Sequence, residues 1–371
     1  MNNRVKDGAK AVGLVLFGTI VLGYKYYRNM FLGNRYLDKN LPKMKETKKK
    51  LIIKQEEDGY YSIQKKDNSE FKILQLTDIH IGGGYLSRHE DMTALNIIRR
   101  VVKTANPDLI VITGDLNCPD MSQSMTRNNL HSMSIITDMI ESSKIPYAVA
   151  FGNHDATPKS THTKKELADY LLGQRHCVMN LNEDTQNITG TSNYIVKLRN
   201  SDGSINSVIF VMDSNEYVKN GRKKQYDTIR DDQVEWYKKQ TLRINREENR
   251  NVPSYIYFHM PVQEYEEAWN HSVDGIGDTK FFFGDRDEEI SKTAKPSKLF
   301  ETAKELGCTK GLFCGHDHLN DFSIEYKGIR LTYGQSIDCL LYAKNLSGHK
   351  GGTLLNIDRD GKFTVKPIKQ S

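Results

Sequence analysis

The stretch Phe71-Lys72-Ile73-Leu74-Gln75-Leu76-Thr77-Asp78-Ile79-His80 decides how this chain is read. Its first six residues are mostly apolar and predict a buried strand over Phe71–Leu76. Asp78 and His80 follow at the strand's end, two residues apart, so a chain that stays extended points both to the same side. The arrangement recurs downstream. Leu109–Thr113 runs into Gly114-Asp115-Leu116-Asn117, and Tyr147–Phe151 into Gly152-Asn153-His154-Asp155. Tyr255–Phe258 runs into His259, and Gly311–Cys314 into Gly315-His316-Asp317-His318. Each predicted strand thus delivers a carboxylate, imidazole or amide to its C-terminal edge, where ligands collect in open α/β sheets. Gly114, Gly152 and Gly315 precede the polar residues as permissive turn positions.

Between these strands the spacing predicts helices. Leu95, Ile98 and Val102 mark one helical face, Ile135, Ile136, Met139 and Ile140 another, and Asp231–Arg246 a third, more exposed helix. Val208–Met212 adds a strand. After Gly315 the pattern turns to hairpin-like segments, Ile329–Tyr333, Thr353–Asp358 and Phe363–Lys366, with Asp360-Gly361 as a turn signal. The class is therefore α/β, without internal repeats. Asn270–Lys295 mixes charges with Phe281, Phe282 and Phe283 in no regular period, and is expected to be a long loop or lid.

A length of 371 residues suits one large domain or two ordinary ones, and 37% hydrophobic residues with 27 glycines is the composition of a folded protein rather than a disordered or multi-span one. The net charge of +6 is unevenly placed. Residues 1–50 hold 12 Lys and Arg against 3 Asp and Glu, and the rest hold 41 against 44. The slightly acidic body lacks the electrostatic footprint of a protein that tracks long nucleic acid. Five cysteines without CxxC spacing read as packed thiols, not as a disulfide or thiolate framework.

Ala11–Tyr24 is 14 residues without a charge, between Lys10 and Lys25. As a helix it spans about 21 Å, short for a bilayer unless the lysines snorkel outward and Tyr24, Tyr26 and Tyr27 sit at the interface. The expectation is a single-pass membrane anchor on a basic linker over residues 1–45, with the body over 46–371. Arg4, Lys6 and Lys10 precede the run and Lys25, Arg28, Arg35, Lys39 and Lys43 follow it, a distribution that leans toward a cytoplasmic body without deciding the side. The alternative is a secretory signal, removed to leave a secreted protein; its best cleavage site, Val21-Leu22-Gly23, is poor.

Five strand-end fragments of Asp, His and Asn without Cys suit Mn, Fe or Zn. A single carboxylate, Asp115, standing between the Asp78-x-His80 and Gly152-Asn153-His154-Asp155 elements fits a bridge between two ions about 3.5–4 Å apart. The series Asp78-x-His80, Gly114-Asp115, Gly152-Asn153-His154-Asp155, His259 and Gly315-His316-Asp317-His318 resembles the calcineurin-like metallophosphoesterase superfamily over roughly Phe71 to Lys366. The run from Gly315 to Phe322 resembles the branch related to purple acid phosphatases. The resemblance implies an αββα sandwich in which Asp78, His80, Asp115 and His318 hold one metal and Asp115, Asn153, His259 and His316 the other. The coloured enzymes carry a Tyr ligand where this chain has Cys118, and lack the His that here is His80, so neither the colour nor an Fe(III) preference carries over.

The expected chemistry is hydrolysis of a phosphate ester by two divalent or trivalent ions, most simply a monoester on a protein or small molecule. His154, next to ligand Asn153, is the candidate acid that protonates the leaving alkoxide, and Asp155 the candidate for orienting its ring, with a cap or turn role as the alternative for Asp155. His89 and His131 are weaker candidates for phosphate contact, better read as solvated loop histidines. The Phe281–Phe283 cluster is read either as a cap over the pocket or as local core. A phosphodiesterase acting on a cyclic nucleotide or lipid is the alternative within the enzyme class. A membrane-tethered binding protein with an inactive site is the alternative outside it, though no ligand is missing.

Overall fold

The computed structural model describes residues 3–33, 35–221, 223–341 and 350–369. Helices α1 (Asn3–Leu32) and α2 (Arg35–Asn40) lead into the hairpin β1 (Leu51–Gln55) and β2 (Tyr61–Lys65). Then come β3 (Phe71–Leu76), α3 (Arg88–Ala105), β4 (Leu109–Thr113), α4 (Asn129–Glu141), β5 (Tyr147–Ala150) and α5 (Lys164–Leu172). The middle holds β6 (Tyr194–Arg199), β7 (Ile205–Val211), β8 (Tyr217–Asn220), β9 (Lys223–Tyr226), α6 (Asp231–Glu247) and β10 (Ser254–Tyr257). It closes with α7 (Glu264–Val273), β11 (Thr279–Phe283), α8 (Leu299–Leu306), β12 (Thr309–Cys314), β13 (Ser323–Tyr326), β14 (Ile329–Tyr333), β15 (Gly351–Ile357) and β16 (Phe363–Lys369).

Among the described residues the strands form a nine-stranded sheet, a five-stranded sheet and the two-stranded hairpin β8–β9. The small sheet runs β16-β15-β3-β4-β5, and the large one β1-β2-β6-β7-β10-β12-β14-β13-β11. In the first, β3, β4 and β5 are parallel; in the second, β7, β10 and β12 are. β4, β5, β7 and β10 are buried along their whole length, as strands covered on both faces must be. The sheets meet where β5 packs on β7; α3 covers the outer face of one sheet, and α8, with α6 packed against it, the outer face of the other. This is the expected α/β sandwich. Its consequence for function is that the segments leaving β3, β4, β5, β10 and β12, parallel strands from two sheets, meet at one edge.

Two expectations change. Asn270–Lys295 is not one irregular loop: it holds the end of α7 and the edge strand β11, paired antiparallel with β13. Three consecutive phenylalanines mask the alternation that marks a strand; at this edge Phe281 and Phe282 are exposed while Phe283 packs half-buried against the main core, and none of the three lines the cavity at the ligands. At the N-terminus α1 is one continuous helix of 30 residues, but among the described residues no helix is long and apolar enough to cross a membrane. The expected transmembrane span is therefore not met. The uncharged run is short and diluted by Gly13, Gly18, Thr19 and Gly23. The side chains of Arg4, Lys6 and Arg35, counted among its flanking charges, lie outside the described residues.

The end of α1 is tied to the body. Arg127 N–H donates to the Met30 carbonyl (2.9 Å), and the amides of Asn29 and Asn128 bond to Met125 and Phe31 carbonyls. Leu37 and Met44 are buried in the main core. The turn of the β1–β2 hairpin brings Glu56 and Asp58 onto β6 and α6. There Lys197 reaches Glu56 (2.8 Å) and Asp58 (2.7 Å), Arg199 grips Glu56 with two nitrogens, and Arg243 reaches Asp58 (2.8 Å).

Candidate metal centre

The sequence-predicted ligands converge. Oxygen and nitrogen atoms of Asp78, His80 and His318 form one group, and those of Asp115, His259 and His316 another, each within 4.8 Å of one another. Asn153 joins the second group, its Oδ1 3.0 Å from His259 Nε2. The chain does not reach this arrangement by staying extended after β3. Asp78 and His80 have φ of 49° and 50°, Asp115 50° and His316 77°, all in the left-handed region. Asp and His tolerate it better than most residues, yet each such position costs on the order of 1–3 kcal/mol and persists only where the surroundings impose it. The imposition is visible. His316 N–H donates to both Asp78 oxygens (3.2 and 3.0 Å), His154 N–H to Asp115 Oδ1 (2.8 Å), and Gly315 N–H to the His259 carbonyl (2.9 Å). Each ligand loop is stitched to another.

The glycines serve this crowding more than the turns. Gly114 has φ 87°, but Gly152 and Gly315 do not need positive φ. A Cβ at Gly152 would collide with Asp115, and one at Gly315 with Thr77 and Asp78.

The imidazoles are aimed. His259 Nδ1 lies 2.8 Å from the Thr113 carbonyl, which only accepts, so Nδ1 carries a proton and Nε2 is the nitrogen that faces the site. His318 Nδ1 lies 3.3 Å from the Asp338 carboxylate, which turns its Nε2 inward in the same way. There Nε2 meets His80 Nε2 at 3.1 Å, and His316 Nδ1 meets His259 Nε2 at 3.2 Å. Two lone pairs at that distance repel unless a proton or cation lies between them. Asp115 Oδ2 is buried without a hydrogen-bond donor, 3.5 Å from His80 Nε2 and 3.3 Å from His259 Nε2.

Electrostatics agree. Burial disfavours a charged His259, but the Asp115 carboxylate outweighs that and lifts the ring to about 9. Burial pushes His80 down to about 3 and His316 well below the ordinary imidazole range. Those two rings stay neutral, while the buried carboxylates draw His259 and His318 toward the charged form; the negative charge held here calls for protons or cations, and the oxygen and nitrogen donors, with Asp115 Oδ2 between the two groups, fit two metal ions.

His154 is half-buried beside the ligands, its ring edge-on to His80 with centroids 5.3 Å apart. Its Nδ1 is 4.0 Å from Cys118 Sγ, and burial raises that thiol far above its usual range. Cys118 belongs to neither metal group. Asp155 does not orient His154. Its carboxylate accepts N–H groups of Gly152 (2.7 Å), Asp115 (3.0 Å), Leu116 (2.8 Å) and Asn117 (3.3 Å), locking together the loops after β4 and β5. The turn role weighed for it is what the structure shows. His89 is exposed on α3, and His131 on α4 faces Asp38, 3.8 Å away; neither is among the ligands.

Two supports escaped the sequence. Asn153 Nδ2 donates to the Tyr217 hydroxyl (2.9 Å), leaving its oxygen for the site. Asp338 sets His318 and also receives the N–H groups of Leu340 (2.7 Å) and Leu341 (2.9 Å). Only the polar residues of the segment around Asp338 hint at such a role.

The model of the calcineurin-like phosphoesterase family matches residues 71–320, and the chain belongs to that family. Its relatives are purple-acid-phosphatase-like. The Arabidopsis thaliana protein named "Probable inactive purple acid phosphatase 29" is 29% identical, covering 81% of this chain and 82% of its own. The Saccharomyces cerevisiae protein "Phosphatase DCR2" is 26% identical over 72% of this chain, which spans 47% of the yeast protein. Among solved structures, a dimetal phosphatase from Danio rerio aligns with a TM-score of 0.48 at 10% identity, covering 81% of this chain and 100% of that one.

Proposed function

We infer that this protein is a metal-dependent hydrolase of phosphate monoesters. The observation that carries the reading is Asp115 Oδ2, buried without a donor between two inward-facing imidazole groups. Asp78, His80, Asp115 and His318 would hold one ion, and Asp115, Asn153, His259 and His316 the other. When bound, such a pair neutralises the ester's negative charge and makes water nucleophilic at neutral pH. The chain supplies the rest. Asp115 keeps both positions close, Tyr217 and Asp338 fix ligand orientation, and His154 faces a cavity of about 300 Å³ lined also by Asp115, Tyr226, His316 and His318. From there its imidazolium is placed to give a proton to the departing alkoxide oxygen.

The names of the Arabidopsis relatives favour a second reading, a phosphate-binding protein that does not turn over. One experiment separates the two. The full chain, loaded with Mn, Fe or Zn, is assayed on 4-nitrophenyl phosphate and glycerol 2-phosphate, with and without chelator. Hydrolysis that chelator abolishes is expected. His154→Asn is expected to cost on the order of 10²–10⁴ in rate on the alkyl ester and far less on the aryl ester, with metal content unchanged. Absence of turnover with every metal, in protein that holds two ions, leaves binding as the function; equal slowing of both esters removes His154 from the acid role.

A further inference from the structure

Next to the metal centre, and sharing His154 and Leu341 with its cavity, lies a larger one of about 620 Å³. Arg127, Lys159 and Lys224 line it, with Asp120 as the acid in the lining and Met121 and Pro158 among its apolar walls. Among the described residues no carboxylate pairs with any of the three cations, although the protein pairs cations freely elsewhere. Arg127 is built in. Its N–H bonds the Met30 carbonyl (2.9 Å), its own carbonyl accepts the Thr161 N–H (3.0 Å), and its Nε is buried without a partner. Lys224 sits 3.7 Å above the Tyr217 ring. Tyr217 stacks on Tyr226, whose ring meets His316 edge-on at 4.6 Å, so the β8–β9 hairpin joins this cavity to the ligands. Asp120 is occupied: the hydrogen bond from the Ser122 hydroxyl, with its N–H, holds the carboxylate below its usual range.

Among the described residues of the lining, three cations stand against one acid, Asp120, which is bonded to Ser122 and feels the charge of Lys159, so they leave the cavity net positive, one side chain away from the centre. An arginine fork with two lysines matches a tetrahedral oxyanion of charge near −2. The volume and apolar walls suit the organic core of a small molecule. We propose that this cavity receives a second phosphate, so that the preferred substrates are small organic bisphosphates, with one phosphate at the metals and the other on Arg127, Lys159 and Lys224. The proposal rests on the reading of the centre as a phosphate site.

The probes are alkane α,ω-diphosphonates of increasing chain length and the matching alkyl monophosphonates. Their P–C bonds are not hydrolysed, so binding is read without turnover. By calorimetry on the metal-loaded full chain, at least one diphosphonate is expected to bind about tenfold or more tightly than its monophosphonate, the worth of one or two charge-assisted contacts. Added salt should shrink that ratio. In Arg127→Gln, and further in the triple change Arg127→Gln, Lys159→Gln, Lys224→Gln, the ratio should fall toward one. A ratio of one in the wild type, or one that survives the triple change, overturns the second-phosphate site while leaving the metal centre's role intact. Failure of the monophosphonates themselves to bind removes the phosphate reading and the proposal with it.

Discussion

Two charge clusters in this molecule, one half-buried and one buried, have opposite bookkeeping. At the β1–β2 turn, Glu56 and Asp58 meet Lys197, Arg199 and Arg243, and every carboxylate faces a cation from the chain itself. At the sheet edge, Asp78 and Asp115 meet only imidazoles, two of which burial keeps neutral, and Asp115 Oδ2 has no hydrogen-bond donor. The first cluster is complete as folded. The second is complete only with cations from outside, and that deficit distinguishes a site from a strut.

Substitutions that invert the deficit should do most. Asp115→Asn removes the charge between the two imidazole groups, so metal content should fall and hydrolysis of every ester should be lost together; elemental analysis alongside the aryl ester assay checks both. Retention of two ions would mean that Asp115 does not bridge. Asp338→Asn is milder. It keeps an oxygen for the Leu340 and Leu341 N–H groups but removes the charge that sets His318, and should weaken metal binding about 10- to 100-fold in a chelator competition. An unchanged affinity would show that His318 is oriented by packing alone.

The self-sufficient cluster should respond least, and only in stability. Burial works to raise the Glu56 carboxyl, but hydrogen bonds from Arg199 and Lys197 outweigh it and hold it at about 2, against an ordinary 4.5. A carboxyl lowered on folding contributes stability above its unfolded value, and that contribution is lost as pH falls from about 4.5 to about 2. Glu56→Gln should therefore cost about 1 kcal/mol at neutral pH, after allowance for solvent screening, flatten the acid limb of denaturation and leave hydrolysis alone. A variant whose acid limb matches the wild type would refute the pairing.

The same contrast explains what was legible. Asp78, His80, Asp115, Asn153, His259, His316 and His318 could be read because each follows a strand within a few residues, and strand ends in a parallel sheet share an edge. The conformation that aims them could not. Extended geometry put Asp78 and His80 on one side, whereas left-handed turns held by His316 and Asp115 backbone contacts bring them together. Tyr217 and Asp338 act across 64 and 20 residues and have no local pattern. The Asp155 carboxylate looked catalytic because it neighbours His154, but it is consumed by backbone N–H groups that no sequence pattern displays. The β11 edge strand was hidden by its phenylalanines, and the N-terminal helix was legible as a helix but not in where it docks.

The spread of the ligands along the chain also orders the protein's birth. His80 and His318 touch although 238 residues separate them, and the loops between belong to both sheets. On a ribosome Asp78 emerges long before His318, so no nascent fragment that stops short of His318 owns a complete set of donors. Contacts this distant form late, after the loop-closure cost has been met by the core. Metal acquisition is thus an act of the finished fold rather than its trigger, unlike small zinc modules that collapse around their ion. On the proposed reading, a cell starved of metal would accumulate folded, metal-free protein that restored supply completes without new synthesis.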